Sequence, residues 1–225
     1  MPVITPELVR ALNASLPPDL TAEIARTLDS AAQAAQINTR LRVAAFVSQL
    51  AHESAGFRYL SEIWGPTAAQ RRYEGRRDLG NLQPGDGYRY RGRGWVQLTG
   101  RANFRTYGRL LGLDLEGNPD LAAQPETAAR IAAAYWTSRN LNRLADAGDV
   151  EGVTRGINGG LNGLSDRQRL YSLALAALPE PSPVFMRDMA GKNTVWDGKP
   201  TVYNGTLITR YPDGAIQLDR PDKQG

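Results

Sequence analysis

The stretch AHESAGF, residues 51–57, sets the chain's single histidine beside a glutamate at the end of an apolar helical pattern. If INTRLRVAAFVSQLAHES is a helix entered at Asn38 or Thr39, Val43, Phe46 and Leu50 fall at i, i+3 and i+7, and Glu53 continues that stripe at i+10. Gly56 is placed to end the helix, which sets Glu53 in the last turn, at the negative end of the dipole. Desolvation and dipole together favour the protonated carboxyl that a general acid needs, and glycoside hydrolysis is the reaction that most often uses one. The structural alternative is a buried glutamate paired with one of the 27 Lys and Arg residues. His52 reads as a supporting residue, because a serine hydrolase would need a Gly-x-Ser-x-Gly turn that the chain lacks.

Two further stretches offer polar groups for a cleft. In RGRGWVQLTGRANF, Val96 and Leu98 alternate with Gln97 and Thr99, so a short strand would bury the apolar pair and present the amide and hydroxyl. Gly92 and Gly94 would allow close backbone approach, or simply mark a basic turn. In GINGG, Asn158 precedes two glycines that suit a helix stop. Trp64 and Tyr73 could stack on a sugar or pack locally.

The elements that must hold these residues are mainly helical from about residue 5 to 178. ETAARIAAAYW puts Ala128, Ile131, Ala132, Tyr135 and Trp136 on one face, with Pro125 and Glu126 suited to the first turn. Ser165 and Gln168 stand at capping-box spacing before the core helix RLYSLALAAL. Between Pro66 and Leu98, where glycine, arginine and tyrosine dominate, long loops with a small β-hairpin are expected. The expected organisation is a domain over 1–178, a Pro-rich linker over 179–183 and a small β-rich appendage over 184–225, where DGKP, YNG and PDG supply turns.

With no cysteine and one histidine, thiolate zinc sites, disulfides and histidine-rich metal sites are excluded, so chemistry rests on carboxylates, hydroxyls, amides and arginines. No cofactor is expected. A net charge of +4 and a pI near 9.5 favour a polyanionic partner without naming it. The start has no basic n-region ahead of an apolar h-region, and no window approaches about 18 apolar residues, so the chain is expected to be soluble and not exported by the ordinary signal route.

AFVSQLAHESAGFRYLSEIW, then RRYEGRRDLGNLQPGDGYRYRGRGWVQLTGRANF, and later GINGG and SDRQRLY, together resemble the glycoside hydrolase family 19 chitinases, most closely their phage and prophage lysozyme branch. The resemblance runs from about residue 35 to 175 and implies a mainly α, lysozyme-like α+β fold: a helical bilobal domain with a small β-hairpin beside the cleft. It implies that Glu53 is the general acid of an inverting enzyme. Glu74, 21 positions on, is the preferred base; Glu62, 9 positions on, is the alternative, or else positions water or holds an arginine. By the same resemblance Gln97 and Thr99 hold catalytic water and sugar, Asn103 and Asn158 bind substrate, and Arg167 lies behind the catalytic groups.

The implied activity is a muramidase-type endolysin cutting the β-1,4 bond of peptidoglycan. A chitinase, a lytic transglycosylase and a non-catalytic wall-binding or nucleic-acid-binding module are the alternatives. The expected partner is cell-wall glycan, with neither nucleic acid nor membrane insertion, and the chain is expected to act as a monomer. Family habit implies synthesis in the bacterial host cytoplasm and action on the wall after release, or else secretion as an antibacterial effector.

Overall fold

The computed structural model describes residues 2–179 and the backbone of five short strands beyond them. The chain divides into two compact units, Met1–Leu178 and Pro179–Gly225. In the first unit the α-helices are α1 (Pro6–Leu12), α2 (Pro18–Ala34), α3 (Arg40–Glu53), α4 (Ala68–Arg71), α5 (Asp86–Arg89), α6 (Arg101–Leu111), α7 (Pro125–Ser138), α8 (Leu141–Asp146), α9 (Val150–Asn158) and α10 (Leu164–Ala177). None of the described helices is long and apolar enough to cross a membrane.

Helix α3 begins where its sequence says it should. Thr39 is the N-cap, its hydroxyl accepting from the Arg42 N–H at 3.3 Å. The helix is buried all round, however: every residue from Val43 to Ala51 is inside, with Ala44, Ala45, Ser48 and Ala51 filling the side that a one-stripe reading leaves to solvent. Helix α10 packs along it, and α1, α8 and α9 close around it. The buried polar side chains are satisfied: Ser48 Oγ donates to Ala45 O, and Gln49 Nε2 donates to Thr154 Oγ1 at 3.1 Å. Phe46 meets the Trp136 ring edge-on at 5.4 Å, and the indole N–H finds Asn142 Oδ1 at 2.8 Å.

Two apolar clusters make the unit bilobal. The larger gathers around α3, and the smaller is built from Tyr90, Leu98, Phe104, Tyr107, Leu115, Ala122 and Ile131. Helix α7 serves both, giving Ile131 to the smaller cluster and Ala128, Ala132 and Trp136 to the larger, so the single face that its periodicity predicts is divided between them; Val96 touches both. Pro125 occupies the first turn of α7 and Glu126 follows it, favourable choices at a helix N-terminus.

The expected hairpin shrinks to isolated bridges. Arg93 and Leu98 exchange backbone hydrogen bonds at 3.1 and 2.8 Å around a turn over 94–97, and Ser61 bridges Arg93 on its other side. Val96 and Gln97 therefore lie in the turn and not in a strand. Gly94 explains why: it sits at φ +73°, and a Cβ there would stand 2.9 Å from Ala122 O. Helix α10 also starts earlier than its capping-box spacing implies. Gly163, at φ +71°, is the N-cap, and Ser165 already lies inside the helix.

In the second unit, β1 (Phe185–Arg187) pairs antiparallel with β2 (Asn193–Val195). A separate antiparallel meander joins β3 (Thr201–Tyr203), β4 (Thr206–Arg210) and β5 (Ile216–Asp219), with Tyr203 opposite Thr206. The linker expected over 179–183 lies, beyond Pro179, outside the described residues.

Candidate active site

Glu53 is the last residue of α3, and its carboxyl is one-fifth exposed. Arg167, in the first turn of α10 and 1% exposed, donates from Nη2 to Glu53 Oε1 at 2.5 Å. The same guanidinium donates from Nη1 to Gln49 Oε1 and from Nε to Asn162 O at 3.1 Å. Glu53 thus stands in a polar setting and not the apolar pocket that the stripe implied, because the helix end emerges against α10. Gln49 lies one turn before Glu53 on α3, so the spacing that places the acid also places the amide behind it. Asn158, exposed at the end of α9, joins this group: Asn162 Nδ2 donates to its Oδ1 at 3.2 Å.

A second side-chain contact runs parallel to the first. His52 Nδ1 lies 2.7 Å from Asp166 Oδ2, so consecutive residues of α3 clasp consecutive residues of α10. Burial acts to raise the Asp166 carboxyl, but hydrogen bonds from His52 and Arg169 outweigh it and leave the group below its ordinary value. The Cε1–Nε2 edge of the imidazole crowds Gly163 and leaves no room there for a Cβ. This is the supporting position expected of His52.

Directly after Glu53 the backbone turns through three consecutive left-handed residues, Ala55, Gly56 and Phe57, at φ +53°, +73° and +62°. Such a conformation costs the two non-glycine residues about 1–2 kcal/mol each. It is held by Ser54, whose hydroxyl accepts from Phe57 N at 3.0 Å, and by Asn13, whose amide donates to Gly56 O at 2.7 Å. Phe57 then anchors edge-on against Trp95 at 5.6 Å.

The turn delivers Glu62 to the RGRG loop. Backbone bonds from Glu62 N to Gly92 O at 2.9 Å and from Gly94 N to Leu60 O at 2.8 Å fix the pairing. The Glu62 carboxylate accepts from Gln70 Nε2 at 3.0 Å and Tyr73 OH at 3.4 Å on one oxygen, and from Gly92 N–H at 3.0 Å on the other. All three donors are neutral, so the expectation that Glu62 holds an arginine is not met. Burial, and then the Glu62 charge, push the Tyr73 phenol above its ordinary value. Gly92 lets Glu62 and Gln97 share one place: a Cβ there would stand 2.7 Å from Gln97 Oε1 and 3.3 Å from Glu62 Oε2. Gln97 is itself left-handed at φ +49°, a strained choice for a non-glycine residue. Thr99 Oγ1 donates to Gln97 O at 2.9 Å, and Asn103 Nδ2 donates to Thr99 O at 2.7 Å, so these three follow one another along the loop into α6.

Glu74, the preferred base by resemblance, is held by backbone groups. Its two oxygens take the Gly85 N–H at 2.6 Å and the Gly87 N–H at 2.8 Å, pinning its loop to the start of α5. No ion pair joins it to the surrounding arginines among the described residues; Arg76 pairs with Asp78 instead. Trp64 and Tyr73 pack on each other at 6.3 Å, and Tyr88, which carries no sequence signal of its own, meets Trp64 at 5.3 Å. An open polar groove of about 1020 Å³ runs past Tyr88, Arg93, Arg101 and Asp120, and neither Glu53 nor Glu62 lines it. The described residues thus form an acid corner of Glu53, Arg167, Gln49 and Asn158, and a loop corner of Glu62, Gln97, Thr99 and Asn103.

Two lobes sharing a helix, with carboxylates set on a strained turn and a polar loop, are the framework of a glycan-cleaving enzyme. The class I chitinase description of glycosyl hydrolase family 19 matches residues 19–150, and the chain belongs to that family of glycoside hydrolases. It is 34% identical to a "Glycosyl hydrolase family 19 domain-containing protein" of Haemophilus influenzae, the match covering 59% of this chain and 78% of that one. An endochitinase of Arabidopsis thaliana is 36% identical over 52% of this chain, which spans 39% of that relative's length. Chitinase C from Streptomyces griseus shares the fold with a TM-score of 0.62 at 23% identity, covering 79% of this chain and 96% of that one. A bacterial family 19 chitinase gives 0.55 at 25% identity, with coverages of 76% and 95%.

Proposed function

We propose that the chain hydrolyses the β-1,4 bond between N-acetylmuramic acid and N-acetylglucosamine in peptidoglycan, with inversion, Glu53 serving as acid and Glu62 as base. The observation that carries the choice of base is the company each carboxylate keeps. Glu62 is oriented by three neutral donors beside the Gln97 amide, whereas both oxygens of Glu74 are committed to backbone N–H groups that join two loops. Neutral donors orient a carboxylate without a cation competing for the proton that it must accept.

In this reading Glu53 gives its proton to the glycosidic oxygen as the bond to the anomeric carbon breaks. Glu62 takes a proton from a water whose oxygen forms the new bond on the opposite face. One water is consumed, and solvent exchange returns both carboxyls to their starting states. Inversion requires the two groups roughly 6.5–9.5 Å apart with water between them. Arg167 and Gln49 fix the acid's direction, and Gln97 and Thr99 present an amide and a hydroxyl to water and sugar. The resemblance to phage lysozymes supports an endolysin that reaches the wall after release from the host cytoplasm.

Lysis of purified sacculi tests the assignment. Glu53→Gln and Glu62→Gln are expected to lose activity by about a hundredfold or more, the scale of a missing acid or base. Full activity in Glu62→Gln would return the base to Glu74. The similarity to named chitinases favours a second substrate, chitin; turnover of N-acetylglucosamine oligomers with no release from sacculi would select it.

A further inference from the structure

The chain's positive charge is concentrated beside this site. Between positions 57 and 105 stand ten arginines against four acidic residues, a surplus larger than the +4 of the whole chain. Four of the six large apolar side chains that stay exposed among the described residues, Tyr59, Ile63, Leu82 and Tyr88, fall in the same segment. A surface at once basic and aromatic suits a sugar polymer that carries carboxylates.

Arg91 combines open donors with an aromatic ring beneath its guanidinium. Its guanidinium lies 4.2 Å from the centre of the Tyr88 ring, and Nη1 donates to Tyr88 O at 3.0 Å. Among the described residues its Nε and Nη2 meet no acceptor. Its neighbours are engaged: Arg93 pairs with Asp120, Arg101 pairs with Asp86 and Glu116, and Arg89 donates to Gly117 O and Tyr90 OH. The Nε and Nη2 edge is the fork that grips a carboxylate with two parallel hydrogen bonds. Stacking on Tyr88, itself braced by Trp64, restrains the plane of that fork and so lowers the entropy lost on binding. Arg91 also precedes Gly92, whose N–H holds Glu62, so the backbone that bears the fork adjoins the proposed base.

The geometry points to the Arg91–Tyr88 face as a subsite for a carboxylate of the muramyl unit. This rests on the hydrolase reading above and would give a preference for peptidoglycan over chitin, which has no carboxylate. Two sources share the chemistry: the lactyl ether, free on peptide-stripped strands, and the stem peptide on intact wall.

The test measures binding in a Glu53→Gln background, with and without Arg91→Gln, to intact sacculi, peptide-stripped glycan strands and neutral N-acetylglucosamine oligomers. The ratio of affinity for acidic over neutral glycan is expected to fall about tenfold on Arg91→Gln, the effect of losing a charge-assisted pair. Arg91→Lys should recover part of it, keeping charge without the fork. A fall confined to sacculi assigns the carboxylate to the stem peptide; a fall on stripped strands as well assigns it to the lactyl group. Equal losses on all three ligands, no loss on either acidic one, or a parent that binds neither acidic ligand overturns the proposal. Failure of the hydrolase reading shows separately, as lysis by Glu53→Gln, and leaves this ratio readable.

Discussion

Replacing Arg167 by Met would remove the guanidinium that joins α10 to both Gln49 and Glu53. Gln49 is fully buried, and its Oε1 would lose its donor, a cost of about 1–3 kcal/mol. Glu53 would lose its ion partner; breaking a buried pair costs about 3–5 kcal/mol, less here because the carboxyl is one-fifth exposed and can rehydrate. Methionine keeps much of the stem's volume, so the cavity term is small. The sum is roughly 3 kcal/mol, which lowers Tm by about 6–12 °C for a domain of this size. Thermal and urea unfolding followed by circular dichroism would measure it. A cycle with Gln49→Leu adds a sharper reading: the double variant should be less destabilised than the two singles summed, because no orphan amide oxygen remains. A loss under about 0.5 kcal/mol, or strict additivity, would refute the network's role.

Other consequences follow from the same contacts. Gly163→Ala combines a φ of +71° with a Cβ pressed into the His52 ring, and should cost about 2 kcal/mol in unfolding experiments while weakening the α3–α10 clasp. Glu74→Gln puts an amide donor against one of two backbone N–H groups, so chemical denaturation should show a loss of about 1–2 kcal/mol, with lysis per folded molecule kept within severalfold. The hydrogen bond from Arg105 chiefly, with Arg101 behind it, holds the Glu116 carboxyl at about 2 against an ordinary 4.5. Its folded value is depressed, so its contribution is complete above pH 4.5 and fades as pH falls toward 2. With 28% exposure, solvent screening trims that contribution to about 1 kcal/mol. Melting wild type and Glu116→Gln from pH 6 down should show the gap closing across that window; a gap independent of pH contradicts it.

Local chemistry was legible where it alone decides the backbone. Thr39 caps α3, Pro125 opens α7 and Gly159 closes α9 at φ +78°, each through bonds or angles within a few residues. Distant partners decided the rest. Ser165 and Gln168 have capping-box spacing, yet the N-cap of α10 is Gly163, where the His52 ring leaves no room for a side chain. Four alternating residues suggested a strand at Val96–Thr99, but a left-handed Gln97 and the approach of Gly94 to Ala122 make it a turn. Glu74 stood out as the preferred base, but backbone N–H groups 11 and 13 residues away hold both of its oxygens, a pairing that its spacing from Glu53 does not reveal. Glu53 was found by its helix position and Arg167 through the resemblance; the buried Gln49 that shares the guanidinium became connected only in three dimensions.

Proton NMR of the first products released from soluble peptidoglycan strands decides whether Glu53 and Glu62 hydrolyse the bond with inversion. Inverting hydrolysis gives the α-anomer at each new reducing end before mutarotation. The β-anomer appearing first, or a 1,6-anhydro terminus with no reducing end, would contradict it.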